Sequence, residues 1–213
     1  MQFKIKLQLE TREKIIEVTT ERIAKFGVRS VTMDDIARAA GVSKKTIYQE
    51  FGDKEQLVYD VFTAELDRDA EIVEGFFGQP GGVISHLIKL SKFIRDTFTN
   101  MHPMVLNEIQ RYYPRCWQQF EKFKEEHALS SIVKLLENGK EEGLFRKEID
   151  SEILGQLRME QIGISFDPQI FPPDKFNMLD VQMQLFDLFL YGILTQKGIK
   201  IYQEKMKHQD LEL

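Results

Sequence analysis

The sequence predicts an all-α protein in two parts: a small N-terminal domain of three short helices over residues 1–52, and a larger helical domain over residues 53–213. Apolar residues recur at three- and four-residue spacing through most of the chain, which is the period of a helix with one buried face. The runs are separated by helix stop and start signals, a glycine or proline next to a Ser, Thr or Asp able to cap the following helix. At 213 residues with 42% hydrophobic content, there is enough apolar side chain for two cores.

The first ten residues, MQFKIKLQLE, alternate apolar and polar side chains as a strand would and carry Lys4 and Lys6. A frayed or packed terminus is expected there, ahead of a basic arm along a partner. Ile15, Ile16, Thr19, Ile23 and Phe26 then form a helical stripe that stops at Gly27. Thr32 followed by Asp35 has the spacing of a capping box and opens a second helix. Ile36, Ala37 and Ala40 line its inner face. Gly41 ends it, because glycine turns left-handed without a side-chain clash. Ser43 caps a third helix, in which Ile47 and Phe51 share one face and point inward with Val42. Lys44, Lys45, Thr46, Tyr48 and Gln49 are left to solvent or a partner. Two short helices joined by about three residues, with a basic outer face on the second, form a helix-turn-helix.

Charge separates this segment from the remainder. Residues 1–52 hold ten Lys and Arg against seven Asp and Glu, whereas the whole chain holds 29 against 34. A protein acidic overall cannot rely on bulk attraction to phosphate, but a local basic face on a helix sized for the major groove can bind duplex DNA.

The stretch TMDDIARAAGVSKKTIYQEFGDKEQLV resembles the signature of the TetR family of transcriptional regulators, specifically over about residues 12–62 and only in architecture beyond them. The resemblance implies a DNA-binding domain at 1–52 and a ligand-binding and dimerisation domain at 53–213. It places Lys45, Thr46 and Tyr48, with Lys44 beside them, on the recognition helix. It puts Lys54 and Thr32 at helix starts that touch phosphate. The family often carries His or Tyr near positions 49 and 50, where this chain has Gln49 and Glu50. Gln49 suits adenine, Glu50 is expected to turn away from DNA, and the operator sequence cannot be borrowed.

In the larger domain, Asp53 with Gln56 repeats the capping signal and opens a long helix. QPGG at 79–82 breaks it. Helices follow from about 83 to 100, from Pro103, and from Pro114 through about 142, ending at Gly143. Ile149, Asp150 and Leu154 fit a hydrophobic staple opening a helix to about Phe166. FDPQIFPPDKF at 166–176 is a loop, and a last helix is expected from about 178 to 202. That helix is apolar over most of its circumference outside a stripe of Asp180, Gln184, Asp187 and Tyr191, so it must be buried on two sides. Gly155 and Gly163 on the preceding helix permit close approach. By the resemblance, these two helices pair with their copies as a four-helix bundle, which makes Gly155, Gly163, Leu185, Phe189 and Ile193 the predicted homodimer contacts.

Aromatic residues concentrate between 93 and 123. Tyr113, Trp117 and Phe120, joined by Met159, are the candidate contacts for a largely apolar small-molecule effector, against the plainer reading that they are core. His102, His127 and Cys116 match no metal-site spacing, so no metal is expected. The sequence contains no phosphate-cradling glycine loop or nucleophile elbow, which argues against an enzyme and against a cofactor. One cysteine rules out an intrachain disulfide and fits a reducing compartment. No signal peptide or membrane span is visible, and a cytoplasmic protein is expected. The reading is of a DNA-binding regulator, most simply a repressor released by an effector. The alternative is an architectural DNA-binding protein with no ligand.

Overall fold

The computed structural model describes the backbone of residues 2–77, 79–99 and 101–209, and the side chains of residues 10–76, 79–99 and 101–207. The regular structure of the described residues is helical, joined by turns and loops, with a single isolated bridge between Phe145 and Leu194. The chain divides into two compact units, Met1–Arg68 with Asn100–Glu121, and Asp69–Thr99 with Lys122–Leu213.

The first unit contains α1 (Gln2–Phe26), α2 (Met33–Ala40), α3 (Lys44–Phe51), the start of α4 (Lys54–Phe77), α6 (Val105–Tyr112) and most of α7 (Pro114–Phe123). The expected stripe on α1 is buried at Ile15, Thr19 and Ile23. Phe26 departs from it: its ring is exposed and lies beneath Arg22 and Lys25, with cation–ring distances of 5.7 and 5.3 Å. The strand-like alternation of the first residues is also overridden, since they begin α1. Extending an existing helix costs far less than nucleating structure, and a strand needs a partner edge. Ile36, Ala37, Ala40, Ile47, Phe51, Leu57 and Val58 close one core, against which Tyr113 and Trp117 pack.

The second unit contains α5 (Gly82–Thr99), a π-helical turn at Lys124–Ala128, α8 (Leu129–Glu141), α9 (Ser151–Ile164), α10 (Met178–Ile193) and α11 (Gln196–Gln209). The helix expected from Pro114 to about 142 therefore carries a π turn, which fits one extra residue into the path without stopping the helix. Asp150 caps α9 by accepting from the Glu152 and Ile153 amides at 3.0 and 2.9 Å.

The single last helix expected over 178–202 is two helices. Leu194 adopts an extended backbone and pairs with Phe145, and the Thr195 amide donates to the Leu144 carbonyl at 2.9 Å. Thr195 Oγ1 then accepts from the Gly198 amide at 3.1 Å and starts α11. The approach requires glycine at 198, where a Cβ would lie 2.3 Å from the Leu144 carbonyl oxygen. Nothing in the local apolar pattern marks this break, because its cause lies about fifty residues upstream.

Candidate nucleic-acid interface

The turn between α2 and α3 is built from local hydrogen bonds. The Thr32 hydroxyl accepts from the Asp35 amide at 3.2 Å and donates to Asp35 Oδ2 at 2.6 Å, while the Thr32 amide donates to the same carboxylate at 3.1 Å. These bonds from Thr32 hold the Asp35 carboxyl below its ordinary pKa. Gly41 takes a left-handed φ of 68° and its amide donates to Ala37. Ser43 Oγ accepts the Thr46 amide at 3.0 Å and lies 2.8 Å from Thr46 Oγ1.

With Ile47 and Phe51 in the core, α3 has one rotational setting, and that setting presents Lys44, Lys45, Tyr48 and Gln49 outward with Thr46 half-exposed. Tyr48 is 45% exposed. Glu50 is half-buried. Lys44 is partly committed, its ammonium lying 2.9 Å from Asp34 Oδ2, and the hydrogen bond to that carboxylate raises its pKa. Lys45 offers a charge at the surface. The expected group is thus brought together on one face, apart from two residues. Thr32 has its hydroxyl proton and amide occupied by Asp35. Lys54 is turned to the chain itself, Nζ donating to the Val28 carbonyl at 2.8 Å, and burial lowers its pKa.

Lys54 belongs to a clasp on the segment after α1 that sequence reasoning missed. Glu108 of α6 accepts from the Val28 and Arg29 amides at 2.7 and 3.0 Å, and the His102 amide donates to the Ala24 carbonyl at 2.6 Å. Arg29 lies 4.4 Å from the ring centroid of Tyr112. Gly27 sits inside the grip at φ 81°, where a Cβ would come within 3.1 Å of Glu108 Oε2. No sequence signal marks Glu108, since its partners are about eighty residues away. On the other side, Arg12 pairs with Asp60 at 2.5 Å and covers the Phe51 ring at 4.6 Å.

Of the predicted effector contacts, Tyr113, Trp117 and Phe120 lie in the first unit as core. The Trp117 and Phe120 centroids are 5.2 Å apart, and Phe120 meets Phe62 edge-on at 6.4 Å. Met159 is buried in the second unit. Cys116 is buried and its thiol is pushed up to about 11, chiefly by desolvation, so it is not a reactive thiolate. Among the described residues, no three His, Cys, Asp or Glu side chains cluster as a metal site would require.

The predicted dimer contacts need correction. Phe189 and Ile193 are buried in the second unit's own core, and Gly155 accommodates Leu129 and Val133 of α8 in the same chain. Residues that fill their own core cannot also cover a partner. The α9 and α10 surfaces expose Ile153, Leu157, Ile164, Leu188 and Tyr191 instead, with Leu185 half-buried and Gly163 unobstructed.

A capped helix-turn-helix with a polar, basic outer face on its second helix defines a DNA-binding protein, and comparison with known proteins gives its class. Residues 15–61 match the model of the bacterial regulatory proteins, tetR family. The chain is 27% identical over 190 residues to the HTH-type transcriptional regulator YvaF of Bacillus subtilis, covering 87% of this chain and 97% of that protein. It is 25% identical over 195 residues to the HTH-type transcriptional repressor KstR2 of Mycobacterium tuberculosis, covering 88% and 94%. A Saccharomonospora viridis regulator solved in complex with choline shares the fold at a TM-score of 0.68 and 18% identity, over 88% of this chain and 99% of that one. Residues 15–61 thus carry a DNA-binding domain of the TetR type, and over most of its length the chain is similar to transcriptional regulators rather than to enzymes.

Proposed function

We propose that the protein is a cytoplasmic repressor that binds a palindromic operator as a homodimer and is released by a small-molecule effector. The observation that carries this reading is the α3 face: Lys45, Thr46, Tyr48 and Gln49 point outward from a helix fixed by Ile47 and Phe51. Lys45 and Tyr48 serve phosphate, and Thr46 and Gln49 serve base edges, with Gln49 suited to adenine. Lys44 contributes after exchanging Asp34 for phosphate. Thr32 and Lys54 act at helix starts, where Lys54 chiefly positions the backbone at Val28.

One such helix contacts too few base pairs to select a site, so two are required, spaced to successive major grooves about 34 Å apart. The exposed apolar residues of α9 and α10 supply the means of pairing, as a two-fold bundle in which Leu157 and Leu188 are central. An effector shifts the DNA-binding equilibrium by its unequal affinity for the two states, typically about 1 to 3 kcal/mol. The name of KstR2 as a repressor and the choline bound to the Saccharomonospora protein support repression and a small-molecule ligand. No helix of the described residues is long and apolar enough to cross a membrane.

Footprinting of the gene's own upstream region, combined with sedimentation, tests the reading. Protection of a palindrome by a dimer is expected. A wild-type chain that stays monomeric at micromolar concentration and binds random duplex as tightly as any upstream sequence would sink it.

A further inference from the structure

The second unit buries a charge that the described chain does not balance. Arg158 of α9 is 2% exposed, and its Nη1 and Nη2 are both buried without a hydrogen-bond partner. Its guanidinium carbon lies 5.4 Å from the Phe186 ring centroid on α10. Burial lowers its pKa to about 10, so it remains a cation at neutral pH. Two acceptors are orphaned in the same helix pair: Gln161 Oε1, three residues on from Arg158, and Gln182 Oε1, four residues before Phe186. The Gln182 amide nitrogen is already occupied by the Ile162 carbonyl and Ser165 Oγ.

An unpaired buried cation is among the most costly arrangements in a protein interior, and arginine cannot escape it by losing its proton. The simplest resolution is a counter-ion from outside the chain. Two free guanidinium nitrogens form a fork matched to two oxygens of one planar group. One uncompensated positive charge calls for one negative charge, which favours a carboxylate over a phosphate dianion. The rest of the ligand must be apolar, because the guanidinium sits on an aromatic face between two helices whose buried residues include Met159, Val181 and Phe189.

We propose that Arg158 anchors a binding site, within the second unit, for a monocarboxylate with an apolar body. The site draws on residues of the second unit, whereas Trp117 belongs to the first, and it rests on the effector reading only where DNA release is concerned.

The test uses the full chain, with calorimetry and thermal unfolding against straight-chain monocarboxylates from acetate to hexadecanoate, and with 1-decanol and inorganic phosphate as controls. Longer carboxylates are expected to bind and raise the unfolding temperature, while decanol and phosphate do not. Arg158→Met should unfold at a higher temperature than wild type without ligand, since it removes an unbalanced buried charge. It should weaken carboxylate binding by about tenfold or more, the worth of a charged hydrogen-bonded pair. Arg158→Lys keeps the charge but loses the fork, and should bind with intermediate affinity; it decides the matter if the methionine variant does not fold. Decanol matching decanoate, no carboxylate binding to wild type, or unchanged binding by a folded Arg158 variant would each overturn the proposal. Carboxylate binding without loss of operator affinity leaves the anion site standing and removes it as the switch.

Discussion

The segment Ala24–Arg29 and the α9–α10 layer handle their polar and apolar groups in opposite ways. Around Val28 the backbone groups are taken up by Glu108, Lys54 and His102, and the exposed rings of Phe26 and Tyr112 lie under arginine or lysine. In the α9–α10 layer, Ile153 and Leu188 are each 66% exposed, and Arg158, Gln161 and Gln182 keep buried polar atoms without partners. The first region is closed on itself, its backbone groups and exposed rings held by side chains of the same unit. The second presents apolar surface and orphaned polar atoms of the kind that a second subunit and a ligand can satisfy.

The comparison is broken most directly at the apolar face. Leu157→Asp and Leu188→Asp should leave the fold intact, give monomers in sedimentation, and reduce operator affinity by about a hundredfold or more, because the second half-site contact is lost. Phe189→Asp should instead unfold the chain, at a cost of about 4 kcal/mol or more, because it places a charge in the core. If the leucine variants remain dimeric and bind as before, the face has another use.

The clasp comes next. Glu108→Ala strips two amides of their acceptor and should destabilise the protein by about 2 kcal/mol in chemical denaturation. Glu108→Gln, which keeps a carbonyl oxygen, should recover most of that loss. Equal stability of all three proteins would show that the grip carries no energy.

On the reading face the effect is smaller and more specific. Lys45→Ala should weaken all DNA binding and reduce the salt dependence by about one unit of slope, whereas Thr46→Ala and Gln49→Ala should change the preference among sites. Lys54→Ala should lower the unfolding temperature with a smaller change in salt slope than Lys45→Ala, since its ammonium is engaged by Val28. A Lys54 variant with unchanged stability and the larger slope change would return that residue to phosphate.

The smallest effect is confined to alkaline pH. Burial raises the folded Cys116 thiol from 9.0 to about 11, so its contribution to stability is intact below the unfolded value and is lost as pH rises through that interval. Cys116→Ala should flatten the decline in stability over that range, and alkylation of the native thiol at pH 8 should be much slower than in denaturant. Rapid native alkylation would contradict the buried placement.

Local chemistry is where the sequence was readable. The capping box at Thr32, the stop at Gly41, the Ser43 cap and the inward positions Ile47 and Phe51 depend on neighbours within a few residues, so spacing alone placed them. The same holds for the staple and cap at Ile149–Asp150. Phe26 was misplaced because a helix stripe does not say where its neighbours end. Phe189 and Ile193 were misassigned because an apolar helix reveals that it is buried on two sides without revealing which side its own chain covers.

The sequence by itself determined a helical protein with a DNA-reading head, the residues on the face of that head, and the TetR family resemblance. Tertiary structure alone decided that Glu108 and Lys54 grip Val28, that Thr195 and Gly198 break the last helix against Leu144, and that the Arg158 guanidinium is buried against Phe186 with no hydrogen-bond partner among the described residues. Each of these turns on neighbours that are distant in the chain. A short-range pattern encodes which face of a helix is apolar, but not which remote backbone group or side chain will meet it.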